Sequence, residues 1–301
     1  MELMGRRTDH EEESVGKVFR ALNKASGPPE KRAARAEPGT PGDLPSPGES
    51  PSVERRHEPT SAEPVAAGAW DERLMLATTV RGAAAESFRT LRTRILHPDS
   101  GPPPRTLLVT SAVPGEGKSF VCANLGISLA QGVDTYSLLV DADLRKPSLH
   151  GFFGLGNEKG LADHLRDDWD LGKVIVNCGV KKLSLLPAGA PPVNPAELLG
   201  ASAMTGVVEE LAGRYDDRLI IFDSPPAQVA SETLVLAKQV DGIILVVRWG
   251  GSRREHVQEL LETMGREKVV AVVFNAFRAT IFDTRFFGSY EYQQNYHYGV
   301  R

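Results

Sequence analysis

The sequence predicts an α/β protein built on a doubly wound, mostly parallel β-sheet. Short runs that are apolar at consecutive positions recur along the chain, as is typical of strands covered by helices on both faces. Stretches with helical periodicity, such as 119–131 and 253–264, separate these runs. Alternation of strand and helix favours parallel pairing. The six predicted strands are 106–111, 137–141, 183–186, 218–223, 242–247 and 269–274.

The composition is that of a globular protein. Of 301 residues, 41% are hydrophobic and 25% are charged, and the formal net charge of −4 does not support a nucleic-acid binder with a broad basic surface. Cys122 and Cys178 are too few for a disulfide framework, so we expect a reducing compartment. The longest apolar runs are far shorter than the roughly 20 residues of a membrane-spanning helix. Any work at a membrane would therefore depend on a partner.

The first 69 residues differ in composition from the rest. Residues 26–69 contain nine of the chain's 21 prolines and few large aliphatic side chains, so we interpret them as a disordered linker. Residues 1–25 hold a short amphipathic helix, which either docks on a partner or is a frayed stub. The predicted catalytic domain spans 70–280, and a flexible tail spans 281–301.

A phosphate-binding loop follows the first predicted strand. Residues 112–119 match the spacing GxxxxGK[ST], except that Ala112 replaces the first glycine. Backbone N–H groups of such a loop surround phosphate, and the next helix adds the positive end of its dipole. Lys118 is expected to bind nucleotide phosphates and the Ser119 hydroxyl to bind Mg²⁺. The predicted nucleotide-binding residues of the loop are Pro114, Gly115, Glu116, Gly117, Lys118, Ser119 and Phe120.

Two more predicted strands lead into aspartates. Asp141 ends the second predicted strand, Asp143 lies two residues after it, and Asp223 ends the strand at 218–223. In parallel α/β sheets, ligands bind outside the carboxyl ends of the strands, where all three motifs end. Asp223 is therefore expected to hold Mg²⁺, directly or through water. The alternative for each aspartate is the capping of a helix or a turn.

Together these motifs resemble the Walker A, A′ and B set of the bacterial tyrosine kinases of exopolysaccharide and capsule assembly. The similarity covers about Thr78 to Arg301 and includes LLVTSAVPGEGKS, LLVDADLRKP and LIIFDSPP, with further likeness at 160–165 and 191–199. The N-terminal segments resemble the soluble subgroup, which works beside a separate transmembrane chain-length protein. The resemblance implies the fold of P-loop NTPases related to the septum-positioning and partitioning ATPases, but Val113 stands where those carry a second lysine.

The resemblance implies an ATP-dependent protein-tyrosine kinase that uses ATP and Mg²⁺. It implies a metal site formed by Ser119, Asp141 and Asp223, and it places Asp143 beside the incoming tyrosine hydroxyl. The implied catalytic residues are Lys118, Asp141, Asp143 and Asp223.

Three residues beside these motifs have an open role. Arg145 and Lys146 follow the aspartates, and they either stabilise charge during phosphoryl transfer or are solvent-facing charges. Asn275 follows the last predicted strand, where related folds contact adenine. The alternative for Asn275 is a simple turn residue.

Four of the six tyrosines fall in the last twelve residues. The surrounding residues have little apolar periodicity, which predicts a mobile tail rather than rings packed on the domain. The family resemblance implies that these tyrosines are autophosphorylation sites, modified in trans by neighbouring subunits. They are Tyr290, Tyr292, Tyr296 and Tyr298.

A motif before the first strand concerns self-association. Glu86, Arg89 and Arg92 match the ExxRxxR motif, which the resemblance links to subunit contacts in a ring-like homo-oligomer. On the residues alone, Glu86 and Arg89 are three positions apart and could pair within one helix, without a partner. The apolar face of that helix is Phe88, Leu91 and Ile95.

The implied partners are the chain itself, a transmembrane chain-length or activator protein and a cognate tyrosine phosphatase, with no nucleic acid. They imply a cytoplasmic protein, peripheral to the inner face of the plasma membrane. A rival hypothesis is a nucleotide-switched regulatory ATPase that controls polysaccharide assembly without phosphorylating protein, with the tail as a docking segment. An interaction module with an inactive nucleotide site is disfavoured, because all the motif residues are present.

Overall fold

One β-sheet organises the computed structural model, which describes residues 70–74, 82–215 and 217–276. Its strands are β1 (Thr106–Ser111), β2 (Tyr136–Asp141), β3 (Val176–Asn177), β4 (Leu183–Leu186), β5 (Arg218–Asp223), β6 (Gly242–Arg248) and β7 (Val269–Asn275). Their order is β3-β4-β2-β5-β1-β6-β7. All neighbouring pairs are parallel except β3 with β4. The predicted mostly parallel α/β sheet is thereby confirmed.

The predicted strands agree with the observed ones to within one residue at each end. Strand β3, which has only two residues and pairs antiparallel with β4, was not predicted from the sequence. Two residues are too few to produce a periodic pattern, so nothing in the local sequence marked this strand.

Helices connect the strands and cover both faces of the sheet. A 3₁₀ turn at Arg266–Lys268 precedes β7. Residues 72–74 are helical. The other helices of the described residues are α1 (Ala83–Leu96), α2 (Lys118–Ala130), α3 (Leu149–Phe152), α4 (Leu161–Asp167), α5 (Leu171–Val174), α6 (Pro195–Gly200), α7 (Ser202–Arg214), α8 (Ser231–Gln239) and α9 (Arg254–Met264).

Successive strand residues alternate between two hydrophobic clusters, one on each face of the sheet. In β1, Leu108 belongs to one cluster, whereas Leu107 and Val109 belong to the other. In β5, Phe222 and Ile221 divide in the same way. Because both faces of the sheet are buried, side chains on both faces of each strand must be apolar, which explains the continuously apolar runs.

Basic side chains from elsewhere in the chain bind the carboxyl ends of three helices. Arg105 donates to the Ala212 carbonyl (2.7 Å) at the end of α7. Lys182 donates to the Gly132 and Val133 carbonyls just after α2. Lys268 donates to three carbonyls at the end of α8. Each cation satisfies carbonyls that lack a partner within the helix and faces the negative end of its dipole.

Several predictions concern residues that the structure does not describe. The N-terminal helix at 1–25, the linker at 26–69 and the tyrosines of the tail at 281–301 lie outside the described residues, so they stay predictions. Within the described part of the chain, none of the helices has the length and apolar character needed to cross a membrane.

Candidate active site

The phosphate-binding loop connects β1 to α2, as its motif predicts. Gly115 and Gly117 have left-handed backbone conformations, with φ of +80° and +93°. At Gly117 a Cβ atom would lie 2.0 Å from the Asn275 side-chain nitrogen, so the Asn275 side chain would have to move, and the left-handed backbone conformation itself favours glycine there. Ala112, which replaces the first glycine of the motif, is fully buried and does not have a positive φ. Alanine is therefore compatible with this first position.

The Glu116 side chain lies within the protein rather than at a position open to a nucleotide. Its carboxylate is fully buried and accepts hydrogen bonds from the Val113 N–H, the Arg248 N–H and the Ser252 hydroxyl. The sequence analysis placed Glu116 among the nucleotide-binding residues. In the structure its side chain holds the loop in place through these hydrogen bonds. Its backbone N–H is then the group of this residue that could bind phosphate.

Asn275 is the last residue of β7 rather than the residue after it. Its side-chain nitrogen donates to the Glu116 carbonyl (2.8 Å), and its side-chain oxygen accepts from the Ala276 N–H (2.9 Å). The residue thus closes a local turn and also contacts the phosphate-binding loop. Its predicted contact with adenine stays a prediction.

Asp141 and Asp223 stand next to each other, at paired positions of β2 and β5. Asp141 accepts hydrogen bonds from the backbone N–H groups of Ser148 and Leu149 (both 3.0 Å) at the start of α3. Neither side-chain oxygen of Asp223 has a hydrogen-bond partner among the described residues, although both are buried. Asp141 thus contacts the start of a helix, as the capping alternative expects, and its role in holding a metal stays a prediction. Of the two acids, Asp223 has the freer oxygens.

Burial and mutual repulsion raise the pKa values of these acids. Burial raises the pKa of Asp223 to about 7, while the Lys118 ammonium and the nearby Ser119 hydroxyl oppose the increase. Burial, followed by the charge of Asp223, raises the pKa of Asp141 well above its usual range. Burial also raises the pKa of Asp143, against the backbone N–H groups of the following residues and the charge of Lys118. The site brings together three carboxyls and one buried ammonium.

This arrangement fits a divalent cation. Two buried carboxylate oxygens without partners, on Asp223, are ligands of the type that Mg²⁺ prefers. Within the described residues, no three His, Cys, Asp or Glu side chains come close enough to hold a metal by themselves. A cation here would need ligands from water or substrate, and Mg²⁺ is commonly bound by one or two carboxylates together with substrate phosphates.

Arg145 has a partner that the sequence analysis did not find. Its Nε donates to Glu232 Oε1 on α8 (2.8 Å), and the Glu232 side chain is almost completely buried. Lys146 is exposed, and its backbone N–H donates to the Asp143 carboxylate. Arg145 thus has an ion-pair partner, and the Lys146 side chain is exposed to solvent. A role for either residue in phosphoryl transfer stays a prediction. Glu232 was missed because an acid in the first turn of a helix is ordinarily a surface residue.

The ExxRxxR motif lies on α1, the helix before β1. Glu86 and Arg89 form an ion pair within the helix (2.7 Å), which is the alternative that needs no partner. Arg92 donates to the Ser128 carbonyl of α2 (2.6 Å). Leu91 and Ile95 are buried as expected, and Phe88 packs at the edge of Phe120, the residue after Ser119. A role for the motif in self-association stays a prediction.

The fold and the strand-end site define a nucleotide-binding protein of the P-loop class. No protein-family model matches the chain. It is 34% identical over 200 residues to the tyrosine-protein kinase YwqD of Bacillus subtilis (strain 168), across 66% of this chain and 83% of YwqD. It is 33% identical over 209 residues to the tyrosine-protein kinase CpsD of Streptococcus agalactiae, across 68% of this chain and 89% of CpsD.

Solved structures agree with these relatives. The chimerical protein CapA2B2 matches with a TM-score of 0.62 and 30% identity, over 69% of this chain and 92% of the other. The kinase domain of the Escherichia coli tyrosine kinase ETK matches with a TM-score of 0.61 and 30% identity, over 69% and 82%. The chain therefore belongs to the bacterial tyrosine kinase family, and the resemblance that the motifs predicted is confirmed.

Proposed function

We propose that this protein transfers the γ-phosphoryl group of ATP to tyrosine hydroxyls, chiefly on the C-terminal tails of neighbouring copies of the chain. One observation carries the proposal. The buried oxygens of Asp223 have no partner within hydrogen-bonding geometry among the described residues, and they lie near Lys118 and Ser119 of a phosphate-binding loop, in a chain that belongs to a tyrosine kinase family. Phosphoryl transfer requires mainly positioning and the neutralisation of charge, which such a site can supply.

The loop and the strand ends divide the binding of substrate and metal. The backbone N–H groups of residues 114–119 and the Lys118 ammonium would bind the phosphates of ATP. Ser119, Asp141 and Asp223 would hold Mg²⁺, which when bound neutralises charge on the β- and γ-phosphate oxygens. Lys118 is almost fully buried, and in such a water-poor position its charge acts strongly on the phosphate.

Asp143 is the residue proposed to receive the acceptor tyrosine. Backbone N–H groups of Arg145 and Lys146 orient its carboxylate, and burial raises its pKa above the usual value. The higher pKa makes Asp143 a better proton acceptor than an exposed aspartate. A free tyrosine has a pKa of about 10, so Asp143 acts mainly by orienting the hydroxyl and accepts its proton as transfer proceeds.

The proposal includes assembly and partners. Glu86 and Arg89 form an exposed pair on α1, where a neighbouring subunit of a ring could reach them. The family resemblance supports a transmembrane chain-length or activator partner, a cognate tyrosine phosphatase and a role in exopolysaccharide or capsule assembly at the inner face of the plasma membrane. These partners rest on the resemblance alone.

The test is incubation of the full chain with ATP and Mg²⁺, followed by mass spectrometry for phosphotyrosine, with and without the cytoplasmic part of a candidate partner. We expect phosphate on the tail tyrosines of the wild type and none on a Lys118→Met variant. The rival regulatory ATPase predicts ATP hydrolysis that depends on Lys118 and no phosphotyrosine in either protein. That result would replace the proposal with its rival.

A further inference from the structure

Glu116 is a charged side chain inside the phosphate-binding loop, and the transfer reaction described above makes no use of it. Its Oε2 accepts from the Val113 N–H (3.1 Å), which closes the loop on itself. Its Oε1 accepts from the Arg248 N–H (3.1 Å) and from the Ser252 hydroxyl (2.7 Å). Among the described residues no lysine, arginine or histidine forms an ion pair with it.

The contacts of Glu116 join parts of the chain that are far apart in sequence. Arg248 ends β6, and Ser252 belongs to the loop that leads from β6 to α9. The Glu116 backbone carbonyl accepts from the Asn275 side chain at the end of β7 (2.8 Å). The Arg248 guanidinium donates to the neighbouring Gly115 carbonyl (3.3 Å). The middle of the loop is thus tied to two strand ends at once.

The position of Glu116 in the loop makes these hydrogen bonds important for ordering the loop. It lies between Gly115 and Gly117, both in the left-handed conformation. Glycines lose more conformational freedom on ordering than other residues, so this is the part of the loop that is most costly to order. Hydrogen bonds that hold it in place before a ligand arrives reduce the entropy that binding has to supply.

The same contacts exclude two other roles. A general base or a metal ligand needs a free oxygen that reaches the substrate, and the Glu116 carboxylate is fully buried with three donors already bound. Buried carboxylates of this kind stabilise the arrangement of their donors. Here the donors are the backbone of the loop itself and the end of β6.

We propose that Glu116 is a positioning residue for nucleotide binding, which holds the phosphate-binding loop ready by fastening it to the ends of β6 and β7. The inference rests on the nucleotide-binding part of the proposed function. If the inference is correct, loss of the hydrogen bonds to Glu116 lowers the affinity for ATP and the affinity for ADP together, because the loop surrounds phosphates that both nucleotides carry. The transfer step at saturating ATP is expected to remain.

Glutamine is the informative substitution. It keeps the size of the side chain but replaces one acceptor oxygen with an NH₂ group, and all three partners of Glu116 are donors in this structure. The Ser252 hydroxyl can rotate to accept, but a backbone N–H of Val113 or Arg248 still meets a donor. Ser252→Ala is the second, milder test variant, because it removes one of the three hydrogen bonds and leaves the carboxylate in place.

The experiment measures the Kd of the full-length chain for ADP and ATP with Mg²⁺ by titration calorimetry, together with KM and kcat for tail phosphorylation. For Glu116→Gln we expect both Kd values and the KM for ATP to rise about tenfold, as for loss of a hydrogen bond to a charged group. We expect kcat at saturating ATP to change less than about threefold. For Ser252→Ala we expect an increase in Kd of about threefold.

Unchanged Kd values in both variants would overturn the inference, and so would a fall in kcat with Kd unchanged. If Glu116→Gln does not fold, Ser252→Ala decides the question by the same two measurements. Failure of the proposed function would give a different result. A wild type that binds nucleotide but forms no phosphotyrosine would overturn the kinase proposal, and the Kd values would still test the role of Glu116. A wild type that binds no nucleotide overturns both.

Discussion

Asp141 and Asp223 occupy paired positions on neighbouring parallel strands, yet of these two side chains Asp141 alone has hydrogen-bond partners within the described part of the chain. Two buried carboxyls so close together repel each other when both are ionised. The arrangement is unfavourable for the isolated protein and suits a cation that binds between the sheet and a phosphate. The pair of buried carboxyls therefore lowers the free energy of unfolding of the ligand-free protein, and this decrease can be measured.

Asp223→Asn is expected to stabilise the protein in the absence of nucleotide and metal, by about 1–3 kcal/mol at pH 8. Burial raises the pKa of Asp223 from 3.8 to about 7, so the folded state binds this proton more tightly than the unfolded state. The wild type therefore loses stability as the pH rises from about 4 to about 7, and the variant lacks this loss.

Urea denaturation at pH 5 and pH 8, without Mg²⁺, measures the difference. The variant is also expected to lose most of the stabilisation that the wild type gains from ATP with Mg²⁺. Parallel stability curves for the two proteins between pH 5 and pH 8 would contradict this account of Asp223.

The Glu86→Ala, Arg89→Ala double variant is expected to weaken self-association and lower autophosphorylation, with ATP affinity unchanged. These two side chains pair on the exposed surface of α1, so removing them costs the folded monomer about 0.5 kcal/mol or less. Arg92→Ala removes a hydrogen bond to the Ser128 carbonyl as well, and it should lower the melting temperature of the monomer.

Analytical ultracentrifugation of the variants beside the wild type gives the answer. The double variant separates assembly from stability, which a triple variant including Arg92 would not. An unchanged distribution of sedimenting species in the double variant would show that the pair on α1 makes no contact between subunits.

Lys268→Met is expected to lower the free energy of unfolding by about 1–2 kcal/mol. The Lys268 ammonium donates to the carbonyls of Ala237, Lys238 and Val240, which end α8. The control is Lys238→Met, which removes an exposed lysine from the last turn of α8, the turn that Lys268 contacts. Chemical denaturation should show a clear loss for the first variant and almost none for the second; equal effects would mean that charge alone, rather than these bonds, is responsible.

Phosphorylation is expected to occur in trans and to loosen the assembly. Each phosphate adds a charge of about −1.5 to −2, and the acids Asp141, Asp143 and Asp223 of a neighbouring site would repel a tail that carries several. In a mixture of a Lys118→Met chain with an intact tail and an active chain truncated after Gly288, label should appear on the inactive chain. Labelled wild type should sediment as a smaller species.

An unlabelled inactive chain in that mixture would show that transfer does not occur between chains. A fully phosphorylated wild type that kept its original size would instead refute only the argument from charge. The two measurements therefore judge transfer and release separately.

The sequence by itself determined the parts of this protein whose cause is local. Continuous apolar runs predicted the six longer strands, because a strand buried on both faces leaves a pattern within its own residues. The spacing around Lys118 and the aspartates after two strands predicted one shared site, because parallel strands end at the same edge of the sheet. The family followed from these motifs.

Only the tertiary structure decided which of these groups hold one another. The contacts of Glu116 with Arg248 and Ser252, of Arg145 with Glu232, and of Lys268 with the end of α8 join residues between about 28 and 136 positions apart. Local periodicity carries no information about such pairs, since each depends on how two distant elements pack. Asp141 is held by backbone N–H groups, whereas the Asp223 oxygens have no partner among the residues that the structure describes. This difference also depends on tertiary structure, because the path of the chain after each strand decides it.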